Sequence, residues 1–238
     1  MTTATATATA TALQALQALL AANFPQLAFD AVPAVVAMEA ALPHCRRCRL
    51  RAGATLFAQG SAARALYGVV EGEMVMRFGS ADGAESTIEL AGPMRLFGLA
   101  AFASGHPSSY EAVAHRSSTV LAIGGPAYAA LMDGLPGFGR ALMHEFASRF
   151  DGTLRMLQAS RLQPAAERLT LVIAQLCAAG RVSPPGQDGT RLLRATQAQL
   201  AALAGLSRQT VNEALRGLAA EGRLEIVYGG VRLRAGIG

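Results

Sequence analysis

Residues 206–215 read LSRQTVNEAL, and this stretch decides the fold. Ser207 is the residue type that caps the orphan amides at a helix start. Val211 and Leu215, four apart, mark one apolar side. Arg208, Gln209, Asn212 and Glu213 gather on another, because steps of one, four and five return to the same face. All four side chains can read hydrogen-bond patterns on base edges. Just upstream, Thr196 with Gln199 three residues later has capping-box spacing. Leu200 and Leu203 supply an apolar face, and Gly205 stops that helix after about two turns. A helix, a tight turn at glycine and a second helix with a polar face make a helix-turn-helix, with the second helix expected at about 207–219. Downstream, RLEIVYGGVRLR (223–234) reads as two alternating strands around Gly229-Gly230. The hairpin forms a wing on which Arg232 and Arg234 suit phosphate contact. A winged helix-turn-helix is therefore expected over 163–238.

The charge distribution agrees. The formal net charge is +5. Residues 181–238 hold eight Arg against four acids, whereas residues 1–180 hold thirteen against twelve. The excess positive charge sits in the last quarter, where a phosphate-binding surface would need it. No apolar run reaches the roughly 18–20 residues of a membrane helix. The start of the chain has no basic residue before Arg46, unlike a secretory signal, so a cytoplasmic protein is expected with no membrane partner.

Cys45 and Cys48 bracket two arginines in a pattern that reads as a strand. Three steps along a strand place the thiols on opposite faces, about 10 Å apart, beyond the roughly 7 Å reach of a disulfide. A metal would need more ligands than His44 and the distant Cys177 supply. Reduced, inert thiols are expected, with no metal site and no catalytic residue: there is no Ser-elbow, ligand cluster or phosphate loop.

Ahead of the winged domain, residues 1–11 alternate Ala and Thr, a low-complexity tail. A helix is expected at Leu13 to about Ala22, so that 1–25 form a tail and helix, and another around Phe29 to Leu42. From about Cys45 to Ile123 the texture turns to short β-like runs, RALYGVVEG, EMVMRF and STIEL, with a turn at SADGAE (80–85). Many short strands at this spacing suggest a small barrel or double-sheet roll over 26–135, with LFGLAAFASG as a brief helical insertion. From Pro136 the pattern becomes a long helix, with a hinge, to 162. Met143, Phe146, Phe150 and Leu157 recur along it every three to four residues or a multiple, which fits one helix packed on its own domain or a two-stranded coiled coil. A further helix is expected from Pro164 to Ala179.

An α+β chain with a β-roll, a long helix and a C-terminal winged helix-turn-helix, in that order, resembles the cyclic-AMP receptor protein/FNR (Crp/Fnr) family of bacterial transcription regulators. The likeness rests on HCRRCRLRAGATLFAQG, ALYGVVEGEM, LFGLAAF, ERL and LAGLSRQTVNEAL. It implies a cyclic-nucleotide-binding-type roll (a jelly roll) that receives a small-molecule or redox signal. It also implies a homodimer through the long helix, recognition helices one DNA turn apart on a palindromic operator, and contact with RNA polymerase. Arg208 matches the family's guanine-reading arginine, while Gln209 replaces a usual glutamate and Glu213 stands where many relatives carry arginine. An acid there should be held by Arg208 or Arg216, or accept from cytosine. With Thr196, Ser207, Asn212 and Arg232 these form the candidate DNA-binding set.

The resemblance also locates an effector pocket. Its members hold the ribose with a Gly-Glu pair, here Gly98-Leu99, and the cyclic phosphate with Arg-Ser or Arg-Thr, here near Ser108-Ser109. Acid and arginine are both missing. A buried phosphate without a charged donor loses its strongest contact, so ordinary cyclic AMP is not the expected effector, although Arg95 could substitute from nearby. Thr153 stands where relatives donate a hydroxyl from the long helix, but Leu154 after it cannot. The cysteine set of the iron-sulfur branch is missing, and His106 and His115 are expected to be surface histidines, not haem ligands. No cofactor is identified. The competing reading is a ligand-sensing or scaffold protein whose winged domain holds another protein, and salt dependence of DNA binding separates the two.

Overall fold

Alternation along the central strands builds two facing sheets. The computed structural model describes residues 3–80 and 85–234, with side chains from residue 12 onward. Two helices, α1 (Thr3–Asn23) and α2 (Val32–Ala41), and a 3-10 turn (Leu42–His44) lead into strands β1 (Cys45–Leu50), β2 (Thr55–Phe57), β3 (Ala65–Glu71), β4 (Met74–Gly79), β5 (Glu85–Ala91) and β6 (Leu96–Phe97). Helix α3 (Leu99–Ser104) precedes β7 (Glu111–Ala114) and β8 (Ser118–Gly124), and α4 (Gly125–Gly134) and α5 (Phe138–Leu162) follow. The strands pair antiparallel in the orders β1-β8-β3-β6 and β2-β7-β4-β5.

Period-two alternation gives the first sheet two buried faces. Leu66, Leu121 and Ile123 point to the helices, joining Leu16, Leu20 and Phe24 of α1, Met38 of α2 and Leu131 of α4. Tyr67, Val69, Val120 and Ala122 point the other way, toward Met74, Met76 and Ala112 of the second sheet. Contact with α1 is close enough to need a glycine: a Cβ on Gly68 would lie 2.1 Å from Leu19 Cδ2. The strand reading of Cys45 and Cys48 holds. Both are free thiols, and they pack against different cores, Cys45 with the helices and Cys48 between the sheets. Burial pushes the Cys45 thiol up to about 11.

Two compact units divide within α5, between Ala147 and Ser148 (Ser86–Ile88 aside). After α5 come α6 (Ala165–Ala178), β9 (Arg191–Leu193), α7 (Gln197–Ala204), α8 (Arg208–Ala220), β10 (Leu224–Val227) and β11 (Gly230–Leu233). Leu169, Val172, Ile173, Leu200, Val211, Leu215 and Leu218 fill the core of this second unit, each large aliphatic contributing about 1.5–3 kcal/mol by leaving water.

Three expectations change. Helix α1 begins at Thr3, not Leu13, because alanine is the strongest helix former and the apolar segment that follows nucleates a helix that propagates back. Helix α4, with Pro126 in its first turn, and strand β9 were not expected. The wing turns on Tyr228-Gly229, since Gly230 already pairs with Val227, and Gly229 takes the left-handed φ of 72° that this turn demands. Residues 81–84 of the expected turn lie outside the described residues.

Candidate nucleic-acid interface

Capping chemistry shapes the helix-turn-helix. Thr196 accepts from the Gln199 amide at 3.2 Å, and the Gln199 side chain accepts from the Thr196 amide at 2.9 Å, closing the capping box. Helix α7 ends at Gly205, left-handed at φ 60°. Ser207 then accepts from the Thr210 amide at 3.0 Å and starts α8. An arginine from α6 ties the turn down: Arg168 Nη2 donates to the carbonyls of Ala204 (2.5 Å) and Gly205 (3.1 Å). A cation at these unsatisfied carbonyls also meets the negative end of the α7 dipole. Arg168 belongs to the ERL run, but nothing in its spacing announced this contact.

Val211, Leu215 and Leu218 are buried, so α8 is fixed by its apolar side. Its other side presents Arg208, Gln209, Glu213 and Arg216 exposed and Asn212 half-buried. The acid finds a different partner from the arginine expected. Gln209 Nε2 donates to Glu213 Oε1 at 3.1 Å, since these residues lie one turn apart on the same face. Arg208 and Arg216 make no ion pair among the described residues. On the wing, Arg232 is bound to Glu225 directly across the hairpin at 2.6 Å. Both ends of that pair are well exposed, so it contributes little stability and a phosphate can displace the carboxylate.

In the roll, Gly98, Ser108 and Arg95 at the expected effector positions are already engaged. The Gly98 amide donates to the Tyr110 hydroxyl at 3.2 Å. Ser108, only 3% exposed, donates to the Tyr110 carbonyl at 2.7 Å. Arg95 is held by Glu89 at 3.0 Å and Glu145 at 3.4 Å. Leu99 packs toward the helical core, and Ser109 is exposed. Thr153, in the C-terminal unit, donates to the Arg149 carbonyl at 2.9 Å. The space between the sheets holds a chain of rings: Phe57 to Tyr67 (5.3 Å), Tyr67 to Phe97 (5.6 Å) and Phe57 to Tyr110 (5.7 Å). Four side chains from separate segments thus meet there, a feature that no local pattern encodes. A cavity of about 610 Å³ is lined mostly by apolar groups of α3, α4 and α5, with Tyr128, Met132, Leu142 and Phe146 among them, and two of the expected effector positions, Leu99 and Ser109, also line it. His106 lines this cavity too, while His115 lies 3.9 Å from Glu73. Among the described residues no cluster of His, Cys, Asp and Glu could hold a metal, and no helix is long and apolar enough to cross a membrane.

Comparison with known proteins gives the class. Residues 47–134 match the cyclic nucleotide-binding domain and residues 167–235 the Crp-like helix-turn-helix domain. The chain belongs to the Crp/Fnr family of transcription regulators and is not an enzyme. It is 30% identical over 197 residues to the cyclic AMP receptor protein of Thermus thermophilus, covering 83% of this chain and 88% of that one. The c-di-GMP responsive global regulator CLP of Xanthomonas campestris shares its fold with a TM-score of 0.63 at 21% identity, over 84% of this chain and 98% of that one. FixK2 of Bradyrhizobium japonicum does so with a TM-score of 0.67 at 19% identity, over 80% and 92%.

Proposed function

We propose that the chain acts as a homodimer, joined along α5, that reads a palindromic operator with the exposed face of α8 in the major groove. The observation that carries this reading is the division of α8 itself. Val211, Leu215 and Leu218 are sealed in the core while Arg208, Gln209, Glu213 and Arg216 face outward, the arrangement a recognition helix needs. Dimerisation is supported by the apolar side chains that α5 leaves exposed: Met143 (67%), Phe146 (42%), Phe150 (55%), Leu154 (46%) and Leu157 (48%). Positions 143, 146, 150, 153 and 157 keep the alternating three- and four-residue steps of a coiled-coil seam, with Thr153 in that seam. Two half-sites would double a surface too small for tight specific binding alone. Family membership supports contact with RNA polymerase and a cytoplasmic location beside the DNA. The pairing of Gly98, Ser108 and Arg95 within the protein supports an effector other than cyclic AMP.

The test is selection of duplexes from a random DNA library, followed by affinity measurements at two salt concentrations. A palindrome and a steep salt dependence are expected. No enriched sequence and a flat salt response would instead fit a winged domain that holds a protein.

A further inference from the structure

A second cavity, of about 490 Å³, opens among β1, β2, β3 and β8 and is lined by His44, Arg46, Leu56, Phe57, Arg64 and Tyr67, among others. None of Gly98, Leu99, Ser108, Ser109 and Thr153 lines it. Three observations point to a ligand. Tyr67 is only 9% exposed, its ring is fixed between Phe57 and Phe97, and its hydroxyl has no hydrogen-bond partner among the described residues, so what remains accessible of this side chain faces the cavity it lines with a free donor. Second, the guanidinium groups of Arg46 and Arg64 make no ion pair or hydrogen bond among the described residues. Elsewhere in the roll, Arg77 and Arg95 each hold two carboxylates. Third, these groups sense one another. Burial and nearby Cys48 push the Tyr67 phenol up in pKa while Arg46 and Arg64 pull it down, so both cations lie within electrostatic reach of it.

We infer that this cavity binds a small organic anion, a carboxylate or phosphate head on a flat apolar body. The head sits between Arg46 and Arg64 and accepts a hydrogen bond from Tyr67, and the body lies against Leu56 and Phe57. Guanidinium forks match either head in pairs of charge-assisted bonds. The volume falls within the range of small-molecule sites, which combine apolar walls with a few convergent polar groups.

Calorimetry on the full chain tests this with benzoate, phenyl phosphate, inorganic phosphate and the neutral benzamide. Benzoate or phenyl phosphate is expected to saturate the protein at or below about 10 mM, with benzamide and inorganic phosphate at least about tenfold weaker. Which of the two ring anions is tighter identifies the head. The exposed pair Arg46→Ala/Arg64→Ala should keep the circular dichroism of the parent and lose at least about tenfold in affinity, and Tyr67→Phe should weaken binding several-fold. The inference is overturned if neither ring anion saturates, if benzamide binds as tightly as benzoate, or if the double variant binds unchanged.

Discussion

Gln209 and Glu213 are bonded to each other along the outer face of α8, the amide donating to the carboxylate at 3.1 Å. The acid that stands where relatives carry arginine is therefore not neutralised by Arg208 or Arg216, and it fixes which atoms of Gln209 face outward. With its amide nitrogen turned to Glu213, Gln209 offers its carbonyl oxygen, while Arg208 keeps a free guanidinium for guanine O6 and N7. Glu213→Ala should release Gln209 to pair with adenine in two bonds and shift the selected base at one operator position. Library selection with parent and variant checks this; identical half-sites from both would show that the pair does not take part in reading.

Arg208→Ala should cost roughly 1–3 kcal/mol of operator affinity and relax a single guanine position, as for any bidentate base contact. Binding isotherms on the selected operator and its single-base variants measure both effects. A uniform loss on all sequences would instead identify Arg208 as a phosphate contact.

Phe150 is the midpoint of the exposed seam on α5. Phe150→Glu places two carboxylates across a two-fold axis in apolar surroundings, at a cost of several kcal/mol. Sedimentation should find the variant monomeric at micromolar concentration. A dimer of undiminished strength would put the interface on another surface.

Cyclic AMP should give no heat of binding at micromolar concentration and no gain in operator affinity. The amide of Gly98 and the hydroxyl of Ser108 are already paired around Tyr110, Arg95 holds two carboxylates, and the ring chain occupies the space between the sheets. Tight binding coupled to DNA affinity would require that chain to rearrange.

Arg168→Ala removes two charge-assisted bonds at the end of α7 and should destabilise the winged domain by about 2–3 kcal/mol. Chemical denaturation followed by circular dichroism reads the loss. Cys45 should also resist alkylation at pH 8, where a thiol titrating near 11 is roughly one part in a thousand thiolate. The rate should climb with pH until the thiol titrates, and rapid labelling at pH 8 in the folded protein would contradict its burial.

Most of the helix-turn-helix was legible because each boundary is marked by a residue with a local job: Thr196 and Gln199 at one cap, Gly205 at the turn, Ser207 at the next cap. The wing was legible for the same reason, although its turn is one residue earlier than two adjacent glycines suggested. Strand β9 was not legible, because three residues, one an arginine, carry no periodicity, and their partners, β11 and a bridge to Val182, are set by folding. The Gln209–Glu213 pair was not legible, because an acid on a face that also carries Arg208 and Arg216 points first to a cation or to cytosine, and only the folded helix shows the amide one turn away reaching it. Whether the effector positions were occupied could not be read at all: Phe57, Tyr67, Phe97 and Tyr110 come from four separate segments, and only folding brings their rings together.

The order β1-β8-β3-β6 has a consequence for how the protein is made. Strand β8 is the last strand of the roll to leave the ribosome, yet it occupies an interior place in its sheet and hydrogen-bonds both β1 and β3. Until Ser118–Gly124 emerges, two earlier strands wait with bare edges, the condition that invites mispairing between nascent chains. In the winged domain the wait is smaller: only the three-residue β9 stands by, until β11 emerges. A ribosome paused ahead of Ser118 should therefore carry a chain that captures chaperones, and one paused beyond α4 should not.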